Sequence, residues 1–257
     1  MLQQFSRTQR LIGRTAMKRL AESRVAVFGI GGVGGYVCEA LVRSGVGSFD
    51  LIDHDTVSLT NLNRQIIATQ QTLGQFKVNV MKERMIDINP NVNVRTYKSF
   101  FLPENEEKFP FPEYDYIVDA VDTIAAKIGI ILKAKALEIP VISSMGTGNK
   151  MDPGRLQVTD IYNTRVCPLA RVMRHELKKR SVENLKVVFS DEPPLRPLPE
   201  QPETDQDPGA LPPELEIPAP GKHSVPGSNA FVPSSAGLMI AAEVVKDLTA
   251  GMTNNSE

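Results

Sequence analysis

A doubly wound α/β fold is what this sequence of 257 residues predicts, and three observations carry the prediction. The apolar run Arg24–Phe28 stops at Gly29-Ile30-Gly31-Gly32-Val33-Gly34-Gly35. The stretch Tyr36–Ser44 then reads as a helix. Ser48–Ile52 reads as a second strand and ends on Asp53, about 20 residues past the glycines. Strand, glycine turn, helix and strand in that order form a βαβ unit whose buried parallel strands are short and continuously apolar. The alternation then continues through a helix over Phe76–Asn89 and strands over Val92–Tyr97 and Tyr116–Val118. A helix over Thr123–Glu138 and a strand over Pro140–Ser144 complete it. The reading is a Rossmann-like, mainly parallel sheet over residues 24–150, extended by a smaller half over residues 151–257.

The glycines have a steric and electrostatic purpose. Without Cβ atoms the chain turns tightly, and the free N–H groups opening the next helix face an anion such as a phosphate. Gly29, Gly31, Gly32 and Gly34 are the candidates, and Asp53 stands where an acid accepts from ribose hydroxyls.

Before the first strand, residues 1–23 read as a charged helical segment that includes Phe5-Ser-Arg7-Thr-Gln-Arg10-Leu-Ile-Gly13. After the second strand the chain runs Asp53-His-Asp55, then Asn61-Leu-Asn63-Arg64-Gln65, then Gly74-Gln75-Phe76-Lys77, and later Asp119-Ala-Val-Asp122. Acids, an arginine and a lysine thus surround one phosphate site. Asn61 keeps a second reading, in which its side chain simply closes a turn.

In the second half, Pro168–Arg180 reads as a helix with Pro in its first turn. Leu169, Val172, Met173, Glu176 and Leu177 are expected on its mainly apolar stripe, with Arg171, Arg174, Lys178 and His175 outward and Lys179 beside them. Residues 190–222 hold ten of the 19 prolines and predict a flexible acidic loop. Residues 191–221 carry eight acids against one arginine, so a formal net charge of −1 conceals an excess of about six basic residues elsewhere. A last helix is expected over Leu238–Leu248. It is too short and too charged to span a bilayer, which takes about 20 apolar residues. No membrane is expected, and with two isolated cysteines, Cys38 and Cys167, a reducing cytoplasm is the expected location.

These motifs together resemble the superfamily of ubiquitin-activating enzymes and the bacterial enzymes that adenylate sulfur-carrier proteins. The resemblance rests on the glycine loop, Asp53-x-Asp55, Asn61-x-Asn-Arg64-Gln65, Gly74-Gln-x-Lys77 and the second acid of Asp119-Ala-Val-Asp122. It implies binding of ATP with Mg²⁺ and adenylation of a carboxylate. The implied nucleotide-binding set is Gly29, Gly31, Gly32, Gly34, Asp53, Asp55, Asn61, Arg64, Gln65, Lys77 and Asp122. Arg64 and Lys77 would stabilise charge building on phosphate oxygens, and Asp122 would hold Mg²⁺, a hard cation that seeks oxygen. An arginine from the first segment, Arg10 rather than Arg7, would reach across a homodimer to the partner's ATP.

Within that superfamily, two cysteines exclude a four-thiolate zinc. Arg10-Leu-Ile-Gly13, Thr60–Arg64, Gly146-Thr-Gly-Asn149, Gln157–Ile161 and Cys167–Arg174 resemble the tRNA threonylcarbamoyladenosine dehydratases. The resemblance implies ATP-dependent dehydration, by cyclisation, of N6-threonylcarbamoyladenosine next to the anticodon of tRNA. Its partner is then tRNA bound along Arg171, Arg174, Lys178 and Lys179. A sulfur-transfer protein is left open as a further partner. The alternative is an adenylyltransferase for a sulfur-carrier or ubiquitin-like protein, with Cys167 receiving the activated group.

Overall fold

Seven short strands form where the apolar runs lie. They are β1 Arg24–Phe28, β2 Ser48–Ile52, β3 Asn93–Tyr97, β4 Tyr116–Asp119, β5 Val141–Ser144, β6 Leu156–Asp160 and β7 Lys186–Ser190. The computed structural model describes residues 3–198 and 226–252. Its strands make one sheet in the order β3-β2-β1-β4-β5-β7-β6, parallel throughout except for β6, which pairs antiparallel with β7. The second half therefore extends the sheet of the first, as expected. The strand order reverses between β1 and β4, the kind of switch point at which open α/β sheets bind ligands beyond the strands' carboxyl ends.

Because side chains alternate across a strand, each central strand feeds two cores. Val25, Val27, Leu51 and Val118 pack into one, beneath helices α1 Ser6–Glu22, α2 Gly34–Ser44 and α3 Lys77–Ile88. Ala26, Phe28, Ile52 and Ile117 pack into the other, beneath α4 Ile124–Ala136 and α5 Pro168–Lys178. Between β3 and β4 no α-helix forms, because Pro103, Pro110 and Pro112 interrupt the segment. Instead Phe101, Phe109 and Phe111 close on Phe28 with ring centroids 5.4, 5.9 and 5.8 Å away, sealing that face with aromatic area.

The last helix, α6 Val232–Leu248, begins six residues earlier than Leu238. Ser-Ser-Ala-Gly reads as a loop by propensity, but here it opens a capped helix. Asn229 Oδ1 accepts from the N–H groups of Phe231 and Val232, and Pro233 occupies the first turn, where its missing N–H costs nothing. The small residues allow close packing on α2: a Cβ at Gly237 would lie 2.5 Å from the Val33 carbonyl oxygen.

The acidic loop expected over 190–222 lies mostly outside the described residues, as does its charge excess. Its first residues are anchored. Ser190 closes β7, and Asp191 and Glu192 are buried at 8% and 9% exposure. Asp191 accepts from Arg155 at 2.9 Å and Arg165 at 2.6 Å, and those guanidiniums hold its carboxyl at about 2. The Glu192 carboxylate accepts from the N–H groups of Met151 and Asp152.

Candidate nucleotide-binding site

The glycine loop is set by contacts that forbid side chains. Gly29 has φ +89°, and a Cβ there would lie 2.7 Å from the Ala120 carbonyl oxygen. A Cβ at Gly34 would lie 1.8 Å from the carbonyl oxygen of Gly29. The loop leads into α2 and is pinned by Asp53, whose Oδ2 accepts from Ile30 N–H at 2.7 Å while Oδ1 accepts from Asp55 N–H at 2.9 Å. Each carboxylate oxygen retains lone-pair capacity for a further donor, such as a ribose hydroxyl.

A lattice of backbone bonds folds the next two motifs together. Val57 N–H donates to Gln75, Gly74 N–H to Val57, and Lys77 N–H to Asp55 at 3.0 Å. This places Lys77 at the first position of α3, buried at 5% exposure, with Nζ 2.7 Å from Asp55 Oδ2. Arg64 donates to the Thr60 carbonyl at 2.8 Å and to Asn63 Oδ1 at 3.0 Å, and its stem lies beside Gly32.

These groups line one cavity of about 440 Å³. Gly29, Gly31, Gly32, Asp53, Asp55, Asn61, Arg64, Gln65, Lys77 and Asp122 all border it, so the structure brings together nearly the whole expected set. Gly34 lies just behind it, supporting the loop. Asn61 does close a turn, its Oδ1 accepting from Ser58 N–H at 3.2 Å, and it borders the cavity as well. Gln65 is 6% exposed, and its Oε1 finds no hydrogen-bond donor among the described residues.

Mg²⁺ calls for hard oxygen donors beside phosphate. Asp122 supplies one: it is exposed, borders the cavity, and enters no ion pair among the described residues. Asp53, His54 and Asp55 also lie close together. There, however, Asp55 is engaged by Lys77 and Asp53 by two backbone N–H groups.

The cavity walls include residues that motif reasoning passed over. Ser99, Phe100 and Phe101 follow β3 and form one wall, with the Phe100 ring edge-on to His54 at 5.2 Å. Thr147 and Gly148 follow β5, and Pro226, Gly227 and Ser228 return against them. Asn149, at φ +58°, clasps Gly227: its N–H donates to the Gly227 carbonyl and its Oδ1 accepts from Gly227 N–H at 2.7 Å. The only sequence signal for these walls was the Gly146-Thr-Gly-Asn149 string.

The sequence model of the ThiF family matches residues 5–256. The chain belongs to the ThiF family. Among ThiF-like relatives, the tRNA threonylcarbamoyladenosine dehydratase of Bacillus subtilis (strain 168) is 44% identical over 250 residues, covering 96% of this chain and 95% of the relative. The corresponding Escherichia coli (strain K12) protein is 40% identical over 176 residues, covering 68% and 66%. A crystal structure of the E. coli tRNA N6-threonylcarbamoyladenosine dehydratase in complex with ATP superposes with a TM-score of 0.82 at 32% identity. It covers 96% of this chain and 94% of that one. The same holds for the complex with AMP.

Arg10 and Arg7 are exposed on α1 and border no part of the cavity of their own chain. On α5, Arg171, His175, Lys178 and Lys179 are exposed, but Arg174 turns inward and donates to Thr164 at both its carbonyl and its hydroxyl. The outer face therefore lacks Arg174. The apolar stripe is Ala170, Met173 and Leu177, whereas Val172 is 41% exposed and with Glu176 borders a groove of about 850 Å³ against α4. That groove shares no lining residue with the glycine-loop cavity. Cys167 is 2% exposed, which leaves little face for a carrier protein's tail. Cys38 is fully buried in α2, and burial pushes its thiol far above the usual range. Among the described residues no helix is long and apolar enough to cross a membrane.

Proposed function

We propose that this chain is an ATP-dependent dehydratase that acts on N6-threonylcarbamoyladenosine next to the anticodon of tRNA. The observation that carries the proposal is the cavity itself, assembled from the glycine loop, Asp53, Arg64, Lys77 and Asp122. Its chain matches, nearly end to end, an enzyme of that name solved with ATP.

A carboxylate is a poor electrophile until one of its oxygens becomes part of a good leaving group. In the first step an oxygen of the threonine carboxylate bonds to the α-phosphorus of ATP and pyrophosphate departs. In the second, a nitrogen or oxygen of the same modification attacks the acyl carbon, loses its proton, and AMP departs with the carboxylate oxygen. The modification thereby loses one water. The attacking atom is tethered, so its effective concentration is high and no enzyme thiol is required.

Glycine-loop N–H groups and Asp53 would orient the nucleotide, while Arg64 and Lys77 would stabilise the charge that develops on the α-phosphate oxygens. Asp55 keeps the Lys77 ammonium aimed along the cavity before ATP arrives. Asp122 would hold Mg²⁺, which supplies charge neutralisation of the phosphates. Arg10, exposed and outside the lining of its own cavity, would complete the partner's site in a homodimer. Arg171, Lys178 and Lys179 would meet tRNA phosphates, with Arg174 supporting them from behind.

Incubation with ATP, Mg²⁺ and tRNA carrying the modification, followed by mild nucleoside digestion and mass spectrometry, tests the reaction. The expected product is the modified nucleoside lighter by one water, formed only with ATP. An unchanged nucleoside alongside good ATP binding would refute the proposal.

A further inference from the structure

We infer that Lys127 is a positioning residue for this reaction: through Asp119 and Ser143 it holds the Asp122 turn against the phosphate-binding glycine loop. The inference rests on the adenylating function proposed above.

Lys127 lies one turn into α4 and is 0% exposed, as are Asp119 and Ser143. Its location is costly twice over. A buried ammonium loses its hydration, and a positive charge near a helix N-terminus opposes the helix dipole. The chain compensates with three acceptors for three N–H donors: Asp119 Oδ2 at 3.0 Å, Ser143 Oγ at 3.3 Å and the Ser144 carbonyl at 2.7 Å. Ser143 also donates its hydroxyl proton to Asp119 Oδ2 at 2.5 Å. The ammonium thereby joins the carboxyl ends of β4 and β5.

Both strand ends run on into cavity walls. Beyond β4, Asp119 Oδ1 accepts from Val121 N–H at 3.3 Å, fixing the turn Ala120-Val121-Asp122, and all three of those residues border the cavity. The Ala120 carbonyl is the group that packs against Gly29, so the turn and the glycine loop are in register. Beyond β5 the chain reaches Thr147 and Gly148 within four residues of Ser144. The nucleotide's other contacts, Asp53, Arg64 and Lys77, come from the β2 side and do not touch this network. Loosening Lys127 should therefore disturb the Asp122 wall and spare nucleotide binding. Stability alone does not call for such a network, since a buried ion pair can often be exchanged for well-packed neutral groups without loss.

The test compares wild type with Ser143→Ala and with the charge-free pair Asp119→Asn/Lys127→Met. AMP formation from ATP with modified tRNA gives kcat and the KM for ATP. Hydrogen exchange of the Val121 and Asp122 amides is followed in the protein without ligand. A misplacement of about 1 Å can cost on the order of 100-fold in rate. The expected result is therefore a kcat lowered by at least about tenfold, an ATP KM within about twofold, and amide exchange about tenfold faster. A folded variant with wild-type kcat and wild-type exchange would overturn the inference. So would a loss of kcat that merely tracks the folded fraction while exchange is unchanged. Should the double variant fail to fold, Ser143→Ala, which keeps the ion pair, decides the matter alone. If wild type itself formed no AMP, the proposed reaction would fall, while the exchange measurement, which needs no substrate, would still decide whether Lys127 holds the turn.

Discussion

Arg174 shows how one side chain is assigned by its acceptors rather than by its sign. It sits among basic residues, yet its guanidinium is spent on Thr164, which is 7% exposed and has its carbonyl turned to the same group. Arg174→Ala should destabilise the fold by about 1–3 kcal/mol, the usual cost of stranding a buried polar group, and leave the salt dependence of tRNA binding unchanged. Arg171→Ala or Lys178→Ala should do the reverse, each lowering the slope of log K against log salt by about one unit with little effect on stability. Denaturant melts and salt titrations separate the two cases. Sequence periodicity placed Arg174 outward because it counts residues per turn and is blind to a partner ten positions away. That Asp53, Arg64 and Lys77 border one cavity was legible in the sequence, Asp53 from its spacing after the glycine turn and the other two from the motifs that carry the family resemblance. Lys127 left one faint sign, a single charge within the apolar stretch Ile124–Ile131.

Among the elements, the strand–loop–helix at Phe28–Gly35 and the β7 exit at Ser190–Glu192 are held in different ways. The first is held by contact. Gly34→Ala would press a methyl into the Gly29 carbonyl, and a loss of about 3 kcal/mol or more in denaturant unfolding, with ATP binding impaired, is expected. A variant of native stability would show that the loop can yield. The β7 exit is held by charge. Arg165 and Arg155 lower the Asp191 carboxyl from 3.8 to about 2, so its contribution to stability is complete above the ordinary carboxylate value and is lost as pH falls through about 2. Asp191→Asn should therefore melt below wild type by a constant margin from pH 7 to pH 5, with the two curves converging between about pH 4 and 2. A margin independent of pH over that range would exclude the ion pairs as its source. The element order of the nucleotide half was legible because its central strands β1 and β4 are buried on both faces and read as nearly continuous apolar runs between glycine and proline punctuation. The start of α6 was not, since Ser-Ser-Ala-Gly is favoured there by its fit to α2 and not by local propensity.

For the molecule as a whole, the proposal that Arg10 completes the partner's site in a homodimer makes an active site shared between two copies a testable expectation. Mixing Arg10→Ala with Asp122→Ala subunits should restore about a quarter of wild-type activity, because half the dimers are mixed and each of those has one intact site. No recovery after verified subunit exchange would place the arginine elsewhere. The position of α6 carries a different consequence. The helix comes last in the chain, yet it covers α2, and Tyr116 of β4 and Lys186 of β7 bond to its Asp247 at 2.6 and 2.7 Å. Without α6, one apolar flank of α2 would face water. A chain cut before Val232 would keep every strand yet leave that flank bare, and such a truncation is expected to bind a hydrophobic dye that the intact protein does not.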